Sequence, residues 1–431
     1  MSLLEYFTDP ILRAPTVGSI LMCIFASLMG VILLLQRRLL VGESISHAAY
    51  PGAILGMIVL GQLAPQLEHF SFFASVLGAW LSSFLGMVLL SRLEKRHKIH
   101  SDAALCLIIA LFFGIGILFA SFLQASMPLW ASQAHILLFG QAATLRDEHI
   151  WLYAILTFGC VAFLTVAFRP IQALLFDRGF SASIGFRARW IERTLFLLLL
   201  FSLIIGIRSV GVILMSGMLI APAIAARQWS NRLKSIFWLS AIFGASSGFF
   251  GNLLSVESAI RFGISLPSGP AIILIGAGFA IVSLLFAPKR GLASRLMRLA
   301  AFRIRCLEEN ILKEMWKKGE MERTCLKRRY PTMLRTLLRR LKSQGWMLEE
   351  RGKYFLSADG QKRAGRIVRL HRLWELYLTE QLGLNVKQVH VHAEEMEHIL
   401  TPDLEKKLTE LLANPKNDPH AQPIPELRSE L

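Results

Sequence analysis

Apolar residues run along the first two thirds of this chain in long stretches that begin near Val17, Ala48, Ser71, Ala103, His149, Glu192, Ser209, Leu233 and Gly269. A bilayer core needs about 20 consecutive apolar residues of helix, so these runs predict an all-α, polytopic membrane domain of eight or nine transmembrane helices. The stretch near Ala48 is the weakest, being short and rich in Gly and Pro. Beyond residue 290 the pattern changes. Thr332 to Lys342 reads as a helix that follows Tyr330-Pro331, with Met333, Leu334, Leu337, Leu338 and Leu341 on one face. Apolar Trp346 to Leu348, a turn at Arg351-Gly352 and the run Tyr354-Phe355-Leu356 then predict a hairpin.

Composition agrees with two environments. Hydrophobic residues make up 54% of the 431 positions and the mean hydropathy is +0.50, too apolar for one soluble domain. The net charge of +17 is unevenly placed: residues 301–431 hold 25 basic and 19 acidic side chains, residues 1–300 hold 22 and 11. Basic groups at Arg92 to Lys98, Arg187 to Arg193, Arg227 to Lys234 and from Lys289 onward fall in alternate connections. The positive-inside rule puts these in the cytoplasm, so nine spans predict an outside N-terminus and a cytoplasmic C-terminal part. Asp9, Pro10, Arg13 and Pro15 precede the first apolar run, a poor match to a cleaved signal peptide. The five cysteines, at 23, 106, 160, 306 and 325, form no CxxC pair and no disulfide framework. No GxxxxGK[ST] occurs, so nothing here cradles ATP phosphates, and no nucleophile and base lie at catalytic spacing.

Two polar segments interrupt the membrane part. In GESISHAAYPG, Gly42 to Gly52, Glu43 and His47 are four residues apart and share a helix face. A carboxylate and an imidazole so placed suit one divalent cation, and intramembrane ionisable groups are functional suspects. On spacing alone, the plainer reading of the segment is a cytoplasmic loop and cap leading into the second span. Phe176 to Arg189, basic and holding Gly179 and Gly185, reads as a solvated loop.

The C-terminal part is itself divided: residues 301–370 carry a net charge of +11 and residues 371–431 a net of −5. Helix, basic helix and hairpin in that order describe a winged helix-turn-helix, with Arg335, Arg339, Arg340 and Lys342 pointing away from the apolar face toward DNA. A basic helix near a membrane could instead meet anionic lipid. Five of the eleven histidines lie in the acidic stretch. His371 and Glu375 are four apart, and His390, Glu394, Glu397 and His398 follow helical steps. Imidazole and carboxylate donors suit manganese, iron(II) or zinc; taken singly, each is also an ordinary solvated surface residue.

Gly42 to Gly52 resembles the signature of the zinc/manganese/iron permease family of ABC importers. The similarity continues through Phe176, Asp177, Ala182 and Gly185 and through RSVGVILMSGMLIAPAIAAR, Arg208 to Arg227. This resemblance implies that a divalent cation passes through the domain, with Glu43 and His47 on its path, although the family usually has Asp where this chain has Glu43. It implies that the segment around Ala182 and Gly185 docks on a separate ATPase subunit. A second permease subunit and an extracytoplasmic metal-binding protein complete the implied assembly, in a bacterial inner membrane.

HRLWELYL from His371, GLNVKQVHVHAEEMEHIL from Gly383 and DPHAQPIPEL from Asp418 resemble the diphtheria-toxin-repressor group of metal-dependent regulators. That resemblance implies one metal site of His371, Glu375 and His390 and another of Glu394, Glu397 and His398. Cys306 and Glu309 match the position that ties metal binding to helix-turn-helix orientation. Glu394 resembles the manganese-responsive branch, Cys306 neither branch. The region from Gly319 to Trp346 is about three residues shorter than in that group.

A permease joined to such a repressor resembles an arrangement found in chlamydiae and their relatives. The chain is thus expected to have a permease domain over residues 1–290, a basic linker over 291–305, a winged helix-turn-helix over 306–370 and a metal-binding and dimerisation domain over 371–431. Divalent metal, Mn²⁺ or Fe²⁺ before Zn²⁺, serves as transported substrate and as co-repressor for operator DNA. The alternative is a tail that gates transport without touching DNA. Basic, exposed Pro288 to Arg305 is also where proteolysis would release the regulator.

Overall fold

Backbone groups in hydrocarbon have no water to bond, so apolar runs of this length satisfy themselves as helices. The computed structural model describes residues 4–63, 70–186, 188–331, 333–385, 389, 393–394, 396–399 and 401–425, and the chain divides into two units, Met1–Ser294 and Arg295–Leu431. The first unit contains α1 (Glu5–Thr8), α2 (Pro10–Leu35), α3 (Leu39–Leu63), α4 (Ser71–Arg96), α5 (Ser101–Ser126), α6 (Pro128–Phe139) and α7 (Asp147–Val166). It continues with α8 (Phe168–Phe176), α9 (Arg178–Ser183), α10 (Ala188–Val210), α11 (Val212–Trp229), α12 (Leu233–Phe262) and α13 (Ser268–Phe286). Among the described residues, nine helices are long and apolar enough to cross a membrane: α2 to α5, α7 and α10 to α13.

The second span corrects the sequence reading. It starts at Leu39 rather than Ala48, so GESISHAAYPG is neither loop nor cap but the interior of α3. Small residues make this possible, because the Ser46 hydroxyl bonds back to the Gly42 carbonyl at 2.9 Å and Ser44 reaches the Leu105 carbonyl at 3.3 Å. Polar side chains thereby spend their hydrogen bonds inside the protein.

Association of helices in lipid depends on close packing of small residues and on interhelical hydrogen bonds. Both occur here. A Cβ on Gly30 of α2 would lie 1.7 Å from the Leu219 carbonyl oxygen of α11, and one on Gly52 would lie 2.1 Å from the Gly78 oxygen of α4. Asn252 donates to Thr16 at 2.8 Å and Ser240 to the Ser27 carbonyl at 3.0 Å. Backbone cannot move aside as a flexible side chain can, so Gly30→Val is expected to cost more than the ~1–3 kcal/mol of ordinary overpacking. Membrane-extracted protein should show the loss of the monodisperse species on size exclusion, while Gly278→Ala, where a Cβ meets nothing within 4 Å, should not.

Leu292 begins α14 (Leu292–Lys318). The basic stretch read as a linker is therefore helical, since no Gly or Pro follows Gly291 to interrupt a run of Leu, Met, Ala and Arg. Only Ala287–Gly291 is non-helical there. The second unit continues with β1 (Glu320–Glu322), α15 (Arg323–Arg329), α16 (Leu334–Ser343), β2 (Met347–Glu350), β3 (Lys353–Leu356), α17 (Ala358–Glu380) and α18 (Pro402–Leu411). The strands form an antiparallel sheet in the order β1-β3-β2, with Met321 opposite Tyr354 and Leu348 opposite Phe355. Arg351 and Gly352 both have positive φ, 50° and 79°, as a two-residue type I′ hairpin turn requires.

Ile311, Leu312 and Met315 of α14 pack with Leu326, with Leu334, Leu337, Leu338 and Leu341 of α16, and with Met347 and Tyr354. Met333 does not join that face. It is 50% exposed in the left-handed conformation (φ 67°) at the start of α16, where the turn leaving Pro331 directs it outward. Thr332, the expected helix start, lies outside the described residues. Ser357 caps α17 by accepting from the Gly360 amide at 3.0 Å. Arg372 of α17 donates to Gln422 at 2.6 Å and pairs with Asp418 at 3.3 Å, and Asp418 accepts from the His420 and Gln422 amides. These bonds give DPHAQPIP, residues 418–425, its structural meaning, a turn fastened to α17.

Candidate functional site

The membrane unit places Glu43 and His47 one turn apart on α3. His47 is buried, 8% exposed, and its Nδ1 has no hydrogen-bond partner among the described residues. The ring meets Phe113 of α5 edge-on, centroids 4.9 Å apart. Glu43 is half-buried. Two neighbours that the sequence reading passed over enlarge the polar patch. The Tyr50 hydroxyl is also buried without a hydrogen-bond partner among the described residues, and Pro51, inside α3, has no N–H to give the His47 carbonyl four residues earlier. Local spacing could have revealed both, since 47, 50 and 51 fall on one helix face. An orphaned nitrogen in an apolar interior is costly unless something else binds it. Imidazole nitrogen, carboxylate and carbonyl are donors for a small divalent cation.

Ala182 and Gly185 belong to a separate element, the short helix α9 and the turn after it. Asp177 caps the short helix α9 by accepting from the Phe180 amide at 2.6 Å. Ala182 is exposed on that helix, and Gly185 turns the chain with φ 86°. The segment read as a solvated loop is thus a capped turn of helix with an open surface.

In the second unit, residues from both implied metal sets meet. His371 Nε2 lies 3.1 Å from Glu375 and Nδ1 lies 2.5 Å from Glu397. His398 Nδ1 is 2.7 Å from Glu309 on α14, and its Nε2 is 3.6 Å from Glu397. Glu397 therefore links the two sets rather than belonging to one. Burial would raise the Glu397 carboxyl, but His371 and Lys313 hold it below the usual carboxylate range. Burial likewise opposes charge on Glu309, and His398 and Arg363 overcome it. Desolvation lowers the His371 imidazole, while Glu375 and Glu397 outweigh it and leave the group above its ordinary value. Cys306 lies one turn before Glu309 on α14; burial and Glu309 raise its thiol, which keeps it protonated. Glu394 is exposed, and His390 lies outside the described residues.

Imidazole and carboxylate are suitable donors for manganese, iron(II) or zinc, but their arrangement is closed. Among the described residues no three of His, Cys, Asp and Glu open onto a common point for a metal ion. Instead Lys313 places its ammonium 2.7 and 3.0 Å from the two Glu397 oxygens and 3.1 Å from His371 Nδ1. Arg363 holds Glu309 at 2.5 Å. The sequence reading missed both cations. Lys313, four residues after Glu309 on an otherwise apolar helix face, was the available signal.

On α16, Arg335, Arg339, Arg340 and Lys342 are all exposed. Arg340 pairs with Glu308 of α14 at 2.7 Å, and Lys342 is engaged by Glu349 and lies 5.5 Å over the Tyr354 ring. Arg335 and Arg339 make no ion pair among the described residues and are the two cations offered outward.

Residues 8–287 match the model of the ABC 3 transport family, and residues 357–426 that of the iron dependent repressor, metal binding and dimerisation domain. A probable metal transport system membrane protein of Chlamydia trachomatis is 34% identical over 445 residues, 97% of each chain. A manganese transport system membrane protein of Bacillus subtilis is 30% identical over 376 residues, 85% of this chain and 84% of its own. In structure, the first unit is similar to PsaBC from Streptococcus pneumoniae, solved with a Fab, at a TM-score of 0.57 and 24% identity over 69% of this chain and 98% of that one. That likeness concerns the fold.

Proposed function

This chain belongs to the ABC 3 transport family, and from that premise we propose that it carries a divalent transition metal through a bacterial cytoplasmic membrane and reports the metal through its C-terminal unit. The observation that carries the reading is the buried His47 imidazole, whose Nδ1 has no hydrogen-bond partner among the described residues, on a membrane-spanning helix one turn from Glu43. Manganese is the first candidate, given the donor set and the relative named for manganese transport; zinc and iron(II) suit the same donors. With no phosphate-binding loop in the chain, ATP hydrolysis falls to a separate subunit docking on α9 around Ala182 and Gly185. A second permease subunit closes the path, and an extracytoplasmic metal-binding protein delivers the ion.

We assign the second unit a winged helix-turn-helix in which α15 and α16 form the helical pair and β2-β3 the wing. The repressor-domain match over residues 357–426 supports metal as co-repressor. A bound metal would supply a dication among His371, Glu375, Glu397 and His398, neutralising carboxylates that Lys313 and Arg363 now neutralise. Arg335 and Arg339 then meet phosphates while α16 enters the major groove.

Each phosphate contact contributes about 0.9 to the salt slope. Replacing Arg335 and Arg339 together by Ala should therefore weaken duplex-DNA binding by the detergent-solubilised chain and reduce the slope by about 2. A filter-binding series from 50 to 200 mM salt, with and without Mn²⁺, measures it. If wild-type chain and variant share one slope, the unit acts as a transport-gating tail.

A further inference from the structure

The Lys313 ammonium stands where a cation belongs. Its side chain is 8% exposed beside a fully buried Glu397, and it satisfies both oxygens of that carboxylate while lying against the His371 nitrogen. An ammonium donates three hydrogen bonds near 2.9 Å, whereas a transition metal takes the same oxygen and nitrogen donors near 2.0–2.2 Å. One set of donors cannot serve both at once. Within the acidic cluster, Arg363 satisfies Glu309 at the periphery, whereas Lys313 reaches both Glu397 and His371 at its centre.

We infer that Lys313 is a resident counter-cation, held by Glu397 beside His371 in the metal-free protein and displaced when a divalent metal takes those donors. This deepens the metal reading of the C-terminal unit and rests on it. The device does two things. It keeps a buried carboxylate compensated when metal is scarce, and it sets a threshold, because only an ion that coordinates more strongly than an ammonium displaces the lysine. Magnesium, which gives up its water reluctantly and prefers oxygen donors, falls below that threshold. Displacement is also felt at the DNA-facing side. Lys313 and Glu309 lie on α14, whose Glu308 pairs with Arg340 of α16 at 2.7 Å and whose Ile311, Leu312 and Met315 share a core with α16.

When a competent state is only partly populated, apparent affinity falls by that fraction. A lysine engaged nine-tenths of the time would therefore weaken metal binding about tenfold. The test uses full-length chain in detergent with His47→Ala throughout, so that the membrane unit's donor is removed from the titration. Free Mn²⁺ is followed by its paramagnetic resonance signal, and the thermal transition is recorded with and without Mn²⁺. Lys313→Met should bind Mn²⁺ at least about tenfold tighter than its parent, melt lower without metal, and regain its stability with Mn²⁺ but not Mg²⁺. Equal or weaker Mn²⁺ binding by Lys313→Met overturns the displacement while leaving the metal reading intact. Absence of Mn²⁺ binding in parent and variant alike removes the metal reading itself. Should Lys313→Met not fold, Lys313→Arg keeps the charge in a bulkier, planar group and should fold and bind Mn²⁺ more weakly than its parent; tighter binding there overturns the inference.

Discussion

Vesicles carrying the assembled transporter with His47→Ala in this subunit should accumulate no more Mn²⁺ than vesicles without it. Loss of residues that merely support a metal ligand costs 10–100-fold in affinity or activity, so loss of a ligand in a sparse intramembrane path should cost at least about 100-fold. Structure and insertion should survive. The Nδ1 atom has no partner to orphan, and the ring's edge contact with Phe113 is a contribution of only ~1 kcal/mol. Glu43→Gln, which keeps shape and hydrogen bonding but removes charge, should fall nearly as far, and Glu43→Asp should retain a measurable share. Uptake by wild type, His47→Ala and Glu43→Gln at equal rates, with equal amounts of inserted protein, would exclude these residues from the path. Restoration by an imidazole-free donor such as His47→Cys would instead support a ligand role, because coordination is all that the two side chains share.

Glu397→Gln should unfold the C-terminal unit more readily than any surface substitution. The change leaves the buried Lys313 ammonium without its carboxylate partner, and uncompensated buried charge costs about 3–5 kcal/mol. Differential scanning of the full chain should show the soluble unit's transition shifting downward, while Glu394→Gln at the exposed neighbour should move it by less than about 1 kcal/mol. The double variant Lys313→Met with Glu397→Met should recover most of the loss, since replacing both partners of a buried pair by apolar groups is often neutral or stabilising. A double variant as unstable as the sum of its singles would show that the two side chains act independently. Replacing Glu397 and His398 together should in addition make DNA binding insensitive to Mn²⁺, as both donors sit in the cluster that joins α14 to α17. Binding that still responds to metal in that variant would place the sensing ligands elsewhere.

Local pattern carried the membrane architecture a long way. Nine apolar runs became nine helices because a span is a property of about 20 consecutive residues, and alternate basic connections follow from the same chain order. Pattern misplaced the second span. The polarity of GESISHAAYPG argues against a membrane interior residue by residue, and only the neighbours of α3, which take up the Ser44 hydroxyl and close upon Gly52, make that segment a buried helix. The hairpin was legible as well, since Arg351-Gly352 between apolar runs is turn chemistry read over four residues. Met333 was misread because its helical phase is right but the helix begins after it.

The His371–Glu397 cluster lies beyond the reach of local pattern. His371 and Glu375, four apart on α17, were visible as a pair because a helix turns that spacing into proximity. Glu397 reaching Lys313, 84 residues away, and His398 reaching Glu309, 89 residues away, obey no local periodicity. Sequence alone determined that this protein threads eight or nine helices through a bilayer and which residue types could hold a cation; the structure has nine such helices among the described residues. Tertiary packing decided which cation the carboxylates face, because a buried charge takes its partner from whatever segment the core brings against it.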